Sequence, residues 1–334
     1  MVALGVHTIK TLASAVAPLM GWQTLLKSSP QLLLPFYHVV SDEVLPHIRN
    51  YAYRNTAQFE AELDFLLRHY RPVALETLLT EIPHGKPCFH LSFDDGLREC
   101  AEIVAPILLR KGIPATFFIN PAFVGNRQLF HRYKASLLLS HALDSPPIIR
   151  QIEKEGMSIK SILKTPYHQQ HMLDEVARKM GVSFDDFLTQ QKPYMEVDQL
   201  RKLMGQGFTL GAHSWDHPEF WLIDEEEQKG QILKSLHWMR EELNVTLPAF
   251  AFPYTDTGIS DALIATLHRE GVCRLSFGTA GVKQDSIDGH WQRFACENNR
   301  SLSAALKSEL VYYHIRRVLG KSYVNRQSNG AAKN

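Results

Sequence analysis

The run Leu91-Ser92-Phe93-Asp94-Asp95-Gly96 drives an apolar segment into two adjacent carboxylates and stops on a glycine. Two carboxylates at the end of a buried strand are costly unless they bind something. Far downstream, His213-Ser214-Trp215-Asp216-His217-Pro218 offers two imidazoles four residues apart. One carboxylate with two imidazoles makes a three-ligand set that leaves an open position on a tetrahedral ion, as catalytic rather than structural zinc sites do. Such an ion acidifies water towards a pKa of about 7, and a second carboxylate can then take the proton. Adjacent residues at a strand end point in different directions, so one aspartate can ligate while the other acts as base. Taken alone, Asp-Gly is a common turn pair and either aspartate could cap a helix. The histidine pair tips the reading towards a metal-dependent hydrolase.

Elements must bring these residues together. Strand-like runs alternate with helix-like ones, the signature of parallel strands joined by crossover helices. Residues 32–37, 87–93, 114–120, 208–212, 249–252 and 272–277 read as strands, with a short one at 291–294. Helical spacing links Phe59, Leu63, Leu66, Leu67 and Tyr70 behind a Thr56 cap, and residues 98–110 read as a helix ended by Gly112. Asp224 caps a helix whose core face is Ile232, Leu233, Leu236, Met239 and Leu243. Ser260 caps another, closed by Gly271, and residues 302–319 form an amphipathic helix through Leu306, Leu310 and Tyr313. Asp94-Asp95, His213 and Pro253-Tyr254 each follow the C-terminal end of a strand, the edge on which α/β sites form. Residues more than a hundred positions apart thereby converge on one mouth. A helical turn after His213 would put both imidazoles on one side.

Residues 125–195 break the rhythm: polar and helical in pattern, they read as an insertion into one domain spanning residues 32–320. Residues 1–31 read as an N-terminal helical segment and 321–334 as a disordered tail. The N-terminal segment has no apolar run of about twenty residues, so no transmembrane span is expected; an amphipathic helix packed on the domain or resting on a membrane surface accounts for it. Without a cleavable signal pattern the expected location is cytoplasmic or membrane-peripheral, with secretion left open. With 36 basic against 35 acidic side chains in 334 residues, no net field would attract nucleic acid, and a neutral or weakly charged substrate fits better. Cys88, Cys100, Cys273 and Cys296 form no CxxC pair and read as reduced core residues. Phosphate-cradling GxxxxGK[ST], HExxH and GxSxG motifs are absent, and nothing specifies an oligomeric state.

On these motifs the sequence resembles the polysaccharide deacetylase family, carbohydrate esterase family four. The family signatures Thr/Ser-Phe-Asp-Asp-Gly, His-Ser/Thr-x-x-His and Arg-x-Pro-Tyr fall here at Ser92 to Gly96, His213 to His217 and Ala251 to Tyr254. The resemblance covers roughly residues 32–297 outside the insertion and implies an irregular (β/α) barrel of about seven parallel strands. It implies Asp94 as general base, and Asp95, His213 and His217 as ligands of one divalent metal: zinc first, with cobalt, nickel or manganese as alternatives. Tyr254 would lend its backbone N–H to the oxyanion. The implied substrate is an acetylated saccharide, a glycan or N-acetylhexosamine-containing molecule, losing N-acetyl groups to metal-activated water. The rival readings are an O-acetyl esterase or other C–N hydrolase on the same site and, from another class, a glycan-binding pseudoenzyme.

The pattern departs from the family in two places. Ala251 stands where an arginine pairs with the base, and no Leu-x-His motif, whose histidine would act as general acid, follows Val272. His38, ending the first strand in Phe36-Tyr37-His38, is the first candidate to line the mouth in its stead; His290 is a weaker one, and Asp94 could return its own proton. Trp215, with Phe220 and Trp221, flanks the histidine pair and could stack on a sugar face. Asp256 reads as a turn residue, and His168 and His171 as surface residues.

Overall fold

The computed structural model describes residues 6–27, 29–80, 82, 84–143 and 159–324. Its strands are short and all parallel: β1 (Leu32–Leu33), β2 (Pro35–Tyr37), β3 (Arg71–Pro72), β4 (Cys88–Phe89), β5 (Leu91–Phe93), β6 (Ala115–Ile119), β7 (Thr209–Ala212), β8 (Ala249–Ala251), β9 (Leu275–Gly278), β10 (His290–Gln292) and β11 (Phe294–Ala295). The main sheet runs β10-β9-β8-β7-β6-β5-β2-β11. Only Arg293 separates β10 from β11, so they are one bent strand whose first half pairs β9 and whose second half pairs β2. That bend draws the two edges of the sheet together into a barrel of seven walls, as the resemblance implies.

Two expected strands are each divided. Residues 32–37 bend at Leu34 and residues 87–93 at His90, and below these bends β1 and β4 join β3 in a separate three-stranded sheet. His90 sits in the fork. Its Nδ1 lies 2.8 Å from the Val73 carbonyl on one branch and its Nε2 2.8 Å from Thr116 Oγ1 on the other. A buried polar ring must be partnered, and spanning the fork does this. The barrel interior holds Leu34, Phe118, Ala249, Ala251, Leu275 and Phe277, closed by Leu75 and Leu78. Gly211 is required there, since a Cβ would stand 2.5 Å from the Phe118 ring.

Crossover helices cover the outside. The first, Thr56–His69, is capped not by Thr56 but by Asn55, whose side chain accepts from Gln58 N at 2.8 Å while Gln58 accepts from Asn55 N at 3.1 Å. This reciprocal capping box satisfies two backbone donors, which Thr56 as cap would not. Asp224 and Ser260 cap Glu225–Leu243 and Asp261–Arg269 as expected, but Leu233 faces outward while Ile232, Leu236, Met239 and Leu243 form the buried stripe. The helix Leu302–Val318 packs against Val6–Val16, so the N-terminal segment is helical and docked on the domain. The four cysteines are buried and unbridged. The expected tail lies outside the described residues apart from 321–324. Among the described residues no helix is long and apolar enough to cross a membrane.

The described parts of the insertion are helical, His131–Leu143, Ile159–Ile162, His171–Met180 and Phe184–Gln191. They share a small core of Ala135, Leu138, Ala142, Ile162, Leu173, Val176, Ala177 and Met180. Residues 144–158 lie outside the description.

Candidate active site and metal centre

β5 delivers both aspartates to the C-terminal mouth, where Asp94 and Asp95 are 2% and 3% exposed. Burial alone would raise both pKa values. Asp94 is instead held below the ordinary carboxylate range, because the Arg293 guanidinium outweighs the burial. Arg293 Nη1 donates to Oδ1 at 2.7 Å and Nη2 to Oδ2 at 2.8 Å, a bidentate pair of the strongest hydrogen-bonding type. Nη1 also donates to Ser92 Oγ at 3.1 Å, and the rings of Phe36 and Phe118 lie 4.4 and 5.2 Å from the guanidinium carbon. The cation absent at Ala251 thus arrives from the β10–β11 bend, two strands further along the sheet. Sequence reasoning missed it, although an arginine inside the apolar run Trp291 to Cys296 must be paired if that run is buried.

Asp95 faces the histidines. Its Oδ1 lies 3.3 Å from His217 Nε2 and 3.7 Å from His213 Nε2, and makes no hydrogen bond. One ligand atom from each of these three buried residues falls within 4.8 Å of the others. A buried carboxylate oxygen left without a donor, opposite two ring nitrogens, fits a cation between them and little else. His213 Nδ1 donates to the Ala251 carbonyl at 2.8 Å, which leaves the Nε2 lone pair free to ligate. Burial lowers its pKa to about 4, so the ring is neutral as a ligand must be.

The histidine loop does not turn helically. Ser214 and His217 adopt left-handed backbone angles, φ 67° and 62°, as do Asp95 at 71° and Tyr254 at 57°. Four of the seven such non-glycine residues among those described therefore lie in the three motifs. Conformations of this kind cost on the order of 1–3 kcal/mol each and persist where the surroundings impose them. Here Asn120, at the end of β6, donates to the carbonyls of His213 and Ser214, while His217 N donates to Ser214 Oγ at 3.0 Å.

The third edge of the mouth carries His38 and Glu297. Glu297 Oε1 accepts from the backbone N–H groups of His38 and Val39 at 2.9 and 3.1 Å, and Oε2 pairs with His38 Nδ1. Burial pulls the His38 pKa down, but Glu297, assisted by Asp95 and Asp94, raises it to about 9. Arg54 holds the loop that presents Glu297: it donates to the carbonyls of Cys296, Asn298 and Arg300 and pairs with Glu62 at 2.8 Å. His290, by contrast, pairs with neither Asp94 nor Asp95; it is bonded to Ser276 Oγ at 2.6 Å and to Asp256 at 3.1 Å. Asp256 does open a turn, its carbonyl accepting from Ile259 N at 3.3 Å, and its buried side chain partners His290 and Gln292.

The family profile described as polysaccharide deacetylase matches residues 81–172 and 172–272, more than half of the chain. The chain belongs to the polysaccharide deacetylase family. IcaB from Ammonifex degensii superposes with a TM-score of 0.53 at 17% identity, covering 83% of this chain and 97% of that one. The Streptococcus pyogenes deacetylase PplD, solved in complex with acetate, gives 0.54 at 14% identity over 83% and 97%. The Bacillus cereus polysaccharide deacetylase BC0361 gives 0.52 at 13% over 83% and 68%. At these identities the likeness is one of fold. No curated protein matches the chain.

In this polysaccharide deacetylase the insertion braces the site. Tyr133 donates to Asp95 Oδ2 at 2.6 Å, committing that oxygen and leaving Oδ1 to face the histidines. Glu219, two residues past His217, accepts from Arg132 at 2.5 Å and from Tyr167 N at 3.0 Å, with His131 Nε2 3.4 Å away. Arg132 also donates to Tyr254 Oη at 3.3 Å. The Tyr254 N–H has no acceptor among the described residues. Trp215 is half-buried with the Lys234 ammonium 3.8 Å above its ring, so one face is already covered. Trp221 is 45% exposed and its ring centre lies 5.5 Å from that of Tyr254. His168 and His171 are exposed, as expected.

Proposed function

We propose that this chain is a metal-dependent deacetylase that removes N-acetyl groups from a glycan or an N-acetylhexosamine-containing saccharide. One observation carries the reading: an ionised aspartate locked on a buried arginine stands beside three converging ligand atoms at the mouth of the barrel. Asp95, His213 and His217 would hold a divalent ion, zinc suiting the mixed oxygen and nitrogen set best. Bound there, the ion would supply Lewis-acid polarisation of the acetyl carbonyl and acidify the attacking water.

The chain's own residues do the rest. Asp94 takes the proton of the attacking water, and Arg293 keeps it ionised and fixed in orientation for that task. The Tyr254 N–H stabilises the oxyanion as the carbonyl becomes tetrahedral. His38, kept protonated by Glu297, gives a proton to the departing nitrogen as the C–N bond breaks, filling the role of the missing Leu-x-His histidine. Trp221 presents the more open aromatic face for a sugar ring, while Trp215 walls the mouth.

The test is acetate release from N-acetylglucosamine oligomers and from acetylated xylan by metal-quantified protein, with Asp94→Asn as control. Release from the first substrate that vanishes in Asp94→Asn with metal retained supports the reading. Release from xylan alone favours an O-acetyl esterase, and no release from either leaves a glycan-binding pseudoenzyme.

A further inference from the structure

We propose that Tyr51 is a positioning residue that ties the His38 side of the mouth to the metal ligand Asp95 through a directed relay of two phenols. The proposal rests on the functional reading above. Tyr51 Oη lies 2.8 Å from Tyr133 Oη, and Tyr133 Oη lies 2.6 Å from Asp95 Oδ2. An ionised carboxylate can only accept, so the single Tyr133 proton points at Asp95. Tyr133 then offers only lone pairs to Tyr51, and the Tyr51 proton must point at Tyr133. The direction of the chain is fixed: Tyr51 to Tyr133 to Asp95.

The other side of Tyr51 meets His38. The two rings stack with centres 4.6 Å apart and planes 29° from parallel. With Glu297 on Nδ1, this contact leaves the imidazole little freedom to rotate. The loop carrying Tyr51 is itself fastened to the insertion helix His131–Leu143: Ser136 faces Asn50 at 3.4 Å, Arg49 donates to Ser140 at 2.9 Å, and Ser140 donates to the Pro46 carbonyl at 2.7 Å. Loop, insertion and two strand ends therefore meet at one phenol. Hydrogen-bond partners behind a ligand orient it, and removing one lowers metal affinity by about 10- to 100-fold.

The experiment is calorimetric titration of zinc into metal-free wild type, Tyr133→Phe, Tyr51→Phe and the double variant, with thermal melts confirming that each is folded. Tyr133→Phe should weaken zinc binding by about 10- to 100-fold. Tyr51→Phe, acting only through Tyr133, should weaken it measurably but by less than that loss of about 10- to 100-fold, and the double variant should bind no more weakly than Tyr133→Phe. Tyr51→Leu, which also removes the stacked ring, should in addition broaden or shift the His38 ring signals in NMR spectra, which Tyr51→Phe should leave in place. Unchanged affinity in Tyr51→Phe, or losses that add in the double variant, would overturn the relay while the functional reading stands. A wild-type chain that takes up none of zinc, cobalt, nickel or manganese, or an Asp95→Ala variant that binds the metal as wild type does, would overturn the functional reading and the relay with it.

Discussion

Replacing Arg293 with methionine isolates the question of what keeps Asp94 ionised. The side chain retains much of its apolar length, so the packing between Phe36 and Phe118 is largely preserved while both charge-assisted bonds to Asp94 disappear. Asp94 keeps its burial and loses its counter-charge. Breaking a buried pair by removing one partner costs about 3–5 kcal/mol, and loss of an adjacent opposite charge moves a carboxylate pKa by about 1–3 pH units. In the wild type the folded-state pKa lies below the unfolded value of about 3.9. The stabilisation from the pair is therefore complete above about pH 4 and is lost as pH falls through the folded value. In Arg293→Met burial is opposed only by His213 and His38; with the guanidinium gone burial should prevail, the folded pKa should lie above the unfolded one, and the carboxyl should destabilise the protein increasingly as pH rises past about 4.

Two assays read this. Denaturant unfolding of the metal-free proteins at pH 7 and at pH 4.5 should show a gap of about 3–5 kcal/mol that shrinks at the lower pH. The acid limb of kcat/KM should move up by about 1–3 pH units. Arg293→Lys, which keeps charge but loses the planar fork, should fall between the two proteins in both assays. A variant of wild-type stability, or a gap independent of pH together with an unmoved acid limb, would refute the assignment of Arg293 as the partner that keeps Asp94 ionised.

Three further outcomes follow from named contacts. Ala251→Arg should destabilise the wild type by crowding a fully buried wall that already holds a cation, yet recover part of the lost activity when combined with Arg293→Ala, as a double-mutant cycle would read. In Glu297→Gln the largest influence raising His38 is removed, so its pKa should fall from about 9, with only Asp95 and Asp94 left to oppose burial; NMR titration of the ring would follow this. Because the wild-type value is raised, the His38 contribution to stability is whole below about pH 6.5 and disappears as pH passes about 9, and the variant should keep less of it. Gly278→Ala would place a Cβ 2.3 Å from the Asp256 carboxyl carbon, which His290 and Gln292 hold in place, and should lower stability by about 1–3 kcal/mol in thermal or denaturant unfolding.

The sequence made the motifs, the strand–helix alternation and the convergence of Asp94, Asp95, His213 and Tyr254 legible, because these follow from local periodicity and from the rule that sites form at strand C-termini. It did not reveal the bends at Leu34 and His90. Leu34 sits inside an apolar run and His90 has apolar neighbours on both sides, and the fork is defined by which neighbours pair on each side. Nor did it reveal how His213 and His217 come to face Asp95. Helical spacing suggested a turn, whereas two left-handed residues pinned by Asn120 and Ser214 do the work, and left-handed angles are uncommon at any non-glycine residue, even at the enriched histidine.

Arg293 and Glu297 escaped for a related reason. Chain order suggests that a cation for Asp94 should come from the third motif and an imidazole from the segment after it. Closure of the ring makes a different set of neighbours, since β11 pairs β2 and β2 pairs β5. Residues 36–38 and 293–297, at opposite ends of the domain, thereby flank Asp94 on one wall. Both departures from the family pattern, the alanine at 251 and the histidine absent after Val272, thus meet at a single event, the bend that joins β10 to β11. What a buried base requires is a fork-shaped cation within hydrogen-bond reach and shielded from water. A barrel can supply it from any wall whose strand reaches the mouth, so the chemistry constrains the place of the guanidinium in space and leaves its place in the chain free.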